Sequence, residues 1–105
     1  MKESDLTKKI RLALKECYGG VWVKLPGGPY MITGMPDLIG VVQGWFIGIE
    51  VKVPGREKTL TERQKLVLEQ LQAAGALAFM TTSREDALRR VGEYLSEKKI
   101  EKCQI

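Results

Sequence analysis

The stretch from residue 38 to residue 53 constrains this chain most. Two runs rich in β-branched and aromatic residues, Leu38-Ile39-Gly40-Val41-Val42 and Trp45-Phe46-Ile47-Gly48-Ile49-Glu50-Val51-Lys52-Val53, are separated only by Gln43-Gly44. A two-residue connector permits an antiparallel hairpin and excludes a parallel pair, which needs a crossover of a dozen or more residues. The turn also sets the register. Val42 faces Trp45, Val41 faces Phe46 and Leu38 faces Ile49, so the next step outward sets Asp37 opposite Glu50. Alternation puts Ile47, Ile49 and Val51 on one face, read as core, and Glu50 and Lys52 on the other. Like charges directly opposed destabilise a strand pair. Two explanations stand. One is a solvated face on which Lys52 bridges two acids. The other is a hard-cation site made by two carboxylates, with the lysine beside it to position a water or offset anionic charge.

The flanking segments complete a fold class. Leu6, Ile10, Ala13, Leu14 and Cys17 recur at helical spacing and predict a helix over 4–18, stopped by Gly19-Gly20. Residues 21–25 alternate as a strand, and Pro26-Gly27-Gly28-Pro29 opens a loop running to Gly34. The hairpin follows, its second strand spanning 45–53, and then a basic loop over 53–58. Thr61-Glu62-Arg63-Gln64 is a capping box, so a helix begins there, with Val67, Leu68, Leu71 and Ala74 apolar and Gly75 at its close. Residues 76–81 read as a short buried strand. Ser83 caps a last helix carrying Ala87, Leu88, Val91, Tyr94 and Leu95. The order αβββαβα predicts an α/β domain with a mixed sheet: a three-stranded meander, then a right-handed parallel crossover. One domain over 1–97 is expected. A charged tail over 98–105 is expected to fray, with Ile100, Cys103 and Ile105 as its apolar positions.

Composition narrows the chemistry. The 105 residues contain no histidine, which excludes Ser-His-Asp and Cys-His nucleophiles and imidazole-held zinc. Cys17 and Cys103 form no CxxC pair and read as free thiols of a reducing cytosol, with Cys17 on the apolar face of the first helix. Any metal here has oxygen ligands, which favours magnesium, manganese or calcium. Lysine and arginine number 17 against 13 acidic residues, a net charge of +4 that fits a polyanionic partner. No run approaches the roughly 18 apolar residues of a membrane span, and residues 1–5 lack a signal-peptide apolar core.

Two more residues bear on the acidic patch. Glu3 lies seven positions before Ile10, on the apolar stripe of the first helix. It is either a carboxylate aimed at the core side and in need of a partner, or a frayed terminus in water. Gln64 lies on the line of Val67, Leu68 and Leu71, toward the sheet; closing the capping box with Thr61 is its other explanation.

Gly34-Met35-Pro36-Asp37-Leu38, then Ile49-Glu50-Val51-Lys52, then Gln64 early in the next helix, resembles the PD-(D/E)xK nuclease superfamily. The glycine turn, the aromatic-rich strand into Glu-x-Lys, the Thr-x-x-Gln helix start and the Leu-x-x-x-Gly close look most like its VRR-NUC family. The resemblance runs from about Glu3 to Val91. It implies a restriction-endonuclease-like αβββαβ core with a central mixed sheet flanked by helices. It also implies metal-dependent cleavage of DNA phosphodiesters. Asp37 and Glu50 would ligate Mg²⁺, for which Mn²⁺ substitutes, helped by the backbone carbonyl of Val51. Lys52 would activate or position the attacking water, Gln64 matches the helix glutamine beside it, and Glu3 matches the acidic residue that completes the site. Asp5 is a weaker match, off the stripe. A chain this short looks like a stand-alone member, resembling homodimeric resolvases of Holliday junctions and other branched DNA. The alternatives are a flap or general nuclease subunit that needs a partner, and a non-catalytic DNA-binding module.

Phosphate contacts are expected from Lys24, Arg56, Lys58, Arg63 and Lys65, grouped around the loops at 25–30 and 54–58. The helix face with Lys8, Lys9, Arg11 and Lys15 is a second candidate. Tyr30 and Met31 read as a packed loop rather than a wedge, and Trp22, Trp45 and Phe46 as core or interface.

Overall fold

A computed structural model describes residues 1–28 and 31–103, with side chains through residue 99. Tyr30 and Ile105 lie outside the described residues, as do the side chains of Ile100 and Cys103. The chain runs α1 (Glu3–Tyr18), β1 (Val21–Lys24), β2 (Leu38–Val42), β3 (Trp45–Val51), α2 (Glu62–Ala73), β4 (Leu77–Thr81) and α3 (Arg84–Cys103). A short 3₁₀ turn, Glu57–Thr59, breaks the basic loop before α2.

The four strands form one sheet in the order β1-β2-β3-β4. The β1-β2 and β2-β3 pairs are antiparallel and β3-β4 is parallel, the expected mixed sheet. The hairpin register is the one its turn dictates: Val42 pairs with Trp45 and Leu38 with Ile49. Gln43 and Gly44 both have positive φ, 52° and 86°. That is the signature of a type I′ turn, whose twist matches that of the flanking strands.

Helices cover both faces. Leu6, Ile10 and Leu14 of α1 and Ala87 and Val91 of α3 close over Leu38, Val42, Ile47, Ile49 and Val51 to form the core. Each fully buried Ile, Leu or Val here contributes about 1.5–3 kcal/mol. Helix α2 packs on the other face, where Gly48 leaves room for it. A Cβ at Gly48 would stand 3.0 Å from Pro36 Cγ and 3.4 Å from Leu71 Cδ1. The Thr61 capping box is formed in both directions. Gly75, with φ of 99°, ends α2, and the Ala76 amide donates back to the Leu71 carbonyl.

Three expectations change. Cys17 is exposed rather than on the apolar face. The stripe steps from Leu14 to Tyr18, whose hydroxyl donates to the Leu88 carbonyl and ties α1 to α3. Residues 98–103 continue α3 rather than fraying, and Lys98 stands over the rings of Trp45 and Tyr94. The ladder pairing of β3 stops at Val51, short of Val53.

Candidate active site

The loop before β2 is held on three sides. Gly34 has φ of 88°, and a Cβ there would come within 2.9 Å of the Arg63 carbonyl oxygen, so the loop lies directly on the first turn of α2. The Arg63 side chain donates to the Thr33 carbonyl at 3.3 Å. Pro36 is buried against Gly48. The next residue, Asp37, is thereby delivered to the end of the hairpin. Its carbonyl accepts from the Leu25 amide at 2.7 Å, and its Oδ2 accepts from the Val51 amide at 3.2 Å.

Glu50 arrives from β3, one step beyond the Leu38–Ile49 pair. It is only 1% exposed, and neither carboxylate oxygen has a hydrogen-bond partner among the described residues. An unpartnered buried carboxylate is costly and normally resolves by protonation, pairing or metal binding. Its pKa is accordingly pushed up to about 9, first by burial and then by the Asp37 carboxyl beside it. The two carboxyl groups bond to each other only when one carries a proton. When both are ionised there is no hydrogen between them, and the Glu50 oxygens are left bare.

Lys52 is 8% exposed, and its amide donates to the Thr81 carbonyl at 3.0 Å, extending the β3-β4 ladder past the strand end. Its positive charge acts on Glu50 and opposes the upward shift. Glu50 and Lys52 are therefore buried together, which removes the solvated salt-bridge explanation of the patch.

Glu3 opens α1 with an exposed side chain, and its carboxylate reaches the same point. One oxygen each from Glu3, Asp37 and Glu50 lie within 4.8 Å of one another. Oxygens bound to a common ion at about 2.0–2.6 Å span such distances. An all-carboxylate donor set around a bare buried glutamate fits a hard divalent cation.

The other expected residues distribute as follows. Gln64 lines, with Asp37, a 260 Å³ cavity walled by Leu25, Met31 and Gly34, while its Oε1 accepts from the Thr61 amide. Gln64 thus closes the cap and also borders the cavity. Asp5 lies outside the acidic trio, beside Lys8 and Lys24. Lys65 is ion-paired with Glu62 at 3.2 Å, and Arg63 is engaged by Thr33. Arg56 and Lys58 are exposed at the 3₁₀ turn. Sequence reading did not find the cavity wall formed by Met31 and Leu25. The signal for it was the glycine-rich loop, which leaves open space rather than side chains beside Asp37.

No protein-family model matches the chain, and no curated protein matches it. Solved structures do. One, named "VRR_NUC domain", superposes with a TM-score of 0.69 at 23% identity, covering 88% of this chain and 96% of its own. A second, named "VRR_NUC domain protein", gives a TM-score of 0.71 at 19% identity, covering 91% of this chain and 89% of its own. The chain has the VRR-NUC fold. Its mixed sheet flanked by helices is a restriction-endonuclease-like core. Within this VRR-NUC fold the acidic trio gathers at one end of the sheet, where β2 begins and β3 ends.

Proposed function

We propose that this protein is a divalent-metal-dependent endonuclease that hydrolyses DNA phosphodiesters, acting as a homodimer on branched DNA such as a Holliday junction. The observation that carries the reading is Glu50, buried with two bare oxygens, within reach of the Asp37 and Glu3 carboxylates and beside Lys52. A structural ion pair would have used those oxygens.

Asp37 and Glu50 would hold Mg²⁺, or Mn²⁺ in its place, with the Val51 carbonyl and the Glu3 carboxylate as further oxygen donors. Bound there, the cation supplies Lewis-acid polarisation of the phosphate and lowers the pKa of a water. Lys52 orients the attacking water and faces the negative charge that grows on the phosphate. Its burial strengthens both effects, because the local dielectric is low. Gln64 borders the cavity next to Asp37 and positions the substrate there. Arg56 and Lys58 hold phosphates beyond the site.

Dimerisation has a physical motive. A two-fold junction needs two related cutting centres, which a symmetric dimer supplies. The sheet offers an apolar surface for it: Val21 and Val41, paired across β1 and β2, are 66% and 45% exposed, and Val23 is 45% exposed.

The test uses a labelled four-way junction, a 5′ flap and linear duplex, each with Mg²⁺, Mn²⁺ or EDTA, alongside Asp37→Ala. Metal-dependent, symmetrically paired cuts on the junction, absent in the variant, are expected. Cuts on the flap alone remove the junction assignment. Binding without cleavage in any metal replaces the nuclease reading with a DNA-binding module. Light scattering should give twice the 11.8 kDa chain mass; a monomer removes the dimer.

A further inference from the structure

The groove between α1 and β1 joins cations that lie far apart in the sequence. Lys8 and Arg11 come from α1 and Lys24 from the end of β1, and all three line one open trough of about 530 Å³ floored by Trp22. Asp5 is the lone acid on its walls. None of the three cations is ion-paired among the described residues, whereas Lys65, Arg89 and Arg90 all are. Three free cations against one acid make a strongly positive trough on a chain of net charge +4.

The trough also points at the acidic trio. Its Ser4 wall adjoins Glu3, and Lys24 pairs with Leu38, the residue after Asp37. From Ser4 to Arg11 the helix rises about 10 Å. The long Lys and Arg side chains spread along that length can reach several phosphates of one strand. We infer that this groove seats the DNA backbone immediately beside the scissile phosphate, with Lys8, Arg11 and Lys24 contacting successive phosphates. The inference rests on the nuclease reading and adds the path the strand takes. It also separates Lys24 from the basic loop at 54–58 and pairs it with α1.

The test is duplex binding followed by fluorescence anisotropy across a salt series, with Asp37→Ala as background to prevent cleavage. The triple variant Lys8→Gln/Arg11→Gln/Lys24→Gln should flatten the slope of log K against log[salt] by about 2–3, since each lost contact removes about 0.9. Arg11 is half-buried, so the double variant Lys8→Gln/Lys24→Gln serves as the second reading, with an expected loss of about 2. Arg89→Gln, on α3 and already ion-paired, should leave the slope unchanged. Background binding with an unaltered slope in both groove variants overturns the groove and leaves the nuclease reading intact. No DNA binding by the background protein overturns both.

Discussion

The two faces of β3 are buried to the same depth and have opposite characters. Ile47, Ile49 and Val51 are 0% exposed under α1 and α3 and belong to one apolar cluster. Glu50, between them in sequence and 1% exposed, faces the side of α2, with a carboxylate that has no hydrogen-bond partner among the described residues. Burial on the first face lowers the free energy through apolar contact. On the second it raises the free energy of an ion. A strand that carries both has used one face to hold the other in place. Depth of burial therefore does not separate scaffold from site, but the pairing state of the polar atoms does.

Substitutions can break this comparison. The largest effect is on chemistry: Asp37→Ala or Lys52→Ala should slow junction cleavage by about 10²–10⁴, with DNA binding largely retained. Wild-type rates in Lys52→Ala remove the lysine from the mechanism. Next comes stability. Ile49→Ala should cost about 2–5 kcal/mol by opening a cavity in a filled core. Glu50→Gln, one residue away, should instead raise the melting temperature of the cation-free protein at pH 8, by about 4–8 °C for each kcal/mol of relief. If both variants destabilise alike, the two faces do not differ as described.

The pH profile sharpens the same contrast. With its folded pKa raised to about 9, Glu50 keeps its proton where the unfolded chain, near 4.5, has lost it. The folded state then binds more protons, so stability falls as pH rises from about 4.5 to about 9. Urea titrations without divalent cation should show that decline, and Glu50→Gln should remove most of it. Adding Mg²⁺ at 100 times its dissociation constant should restore about 2.7 kcal/mol, and should do nothing for Asp37→Ala. The smallest effect lies at α2. Thr61→Ala should cost about 0.5–2 kcal/mol by opening the cap. Gln64→Ala should cost a similar amount and also slow cleavage; equal rates in the two variants would leave Gln64 a cap alone.

Much of this was legible beforehand because local rules bind tightly. A two-residue turn leaves one register, so the Asp37–Glu50 juxtaposition followed by counting. The Thr61-to-Gln64 capping box is a contact within one turn and appears as read. For Glu3 a helix start is equally consistent with water or a partner; the fold leaves it exposed and brings its carboxylate within 4.8 Å of those of Asp37 and Glu50. Cys17 is exposed because the apolar stripe passes from Leu14 to Tyr18, whose hydroxyl reaches the Leu88 carbonyl, and helical spacing alone does not choose between the two neighbours.

Sequence alone determined the order of the elements, the hairpin register and the placing of Asp37 opposite Glu50, since these depend on spacing and turn geometry within short segments. Tertiary structure decided which face of β3 is dry, that Glu50 and Lys52 are buried rather than solvated, and that Lys24 belongs with Lys8 and Arg11. Those facts depend on where α1 and α2 pack, and packing is a property of the whole chain. The bare oxygens of Glu50 exist only because several distant segments close around them.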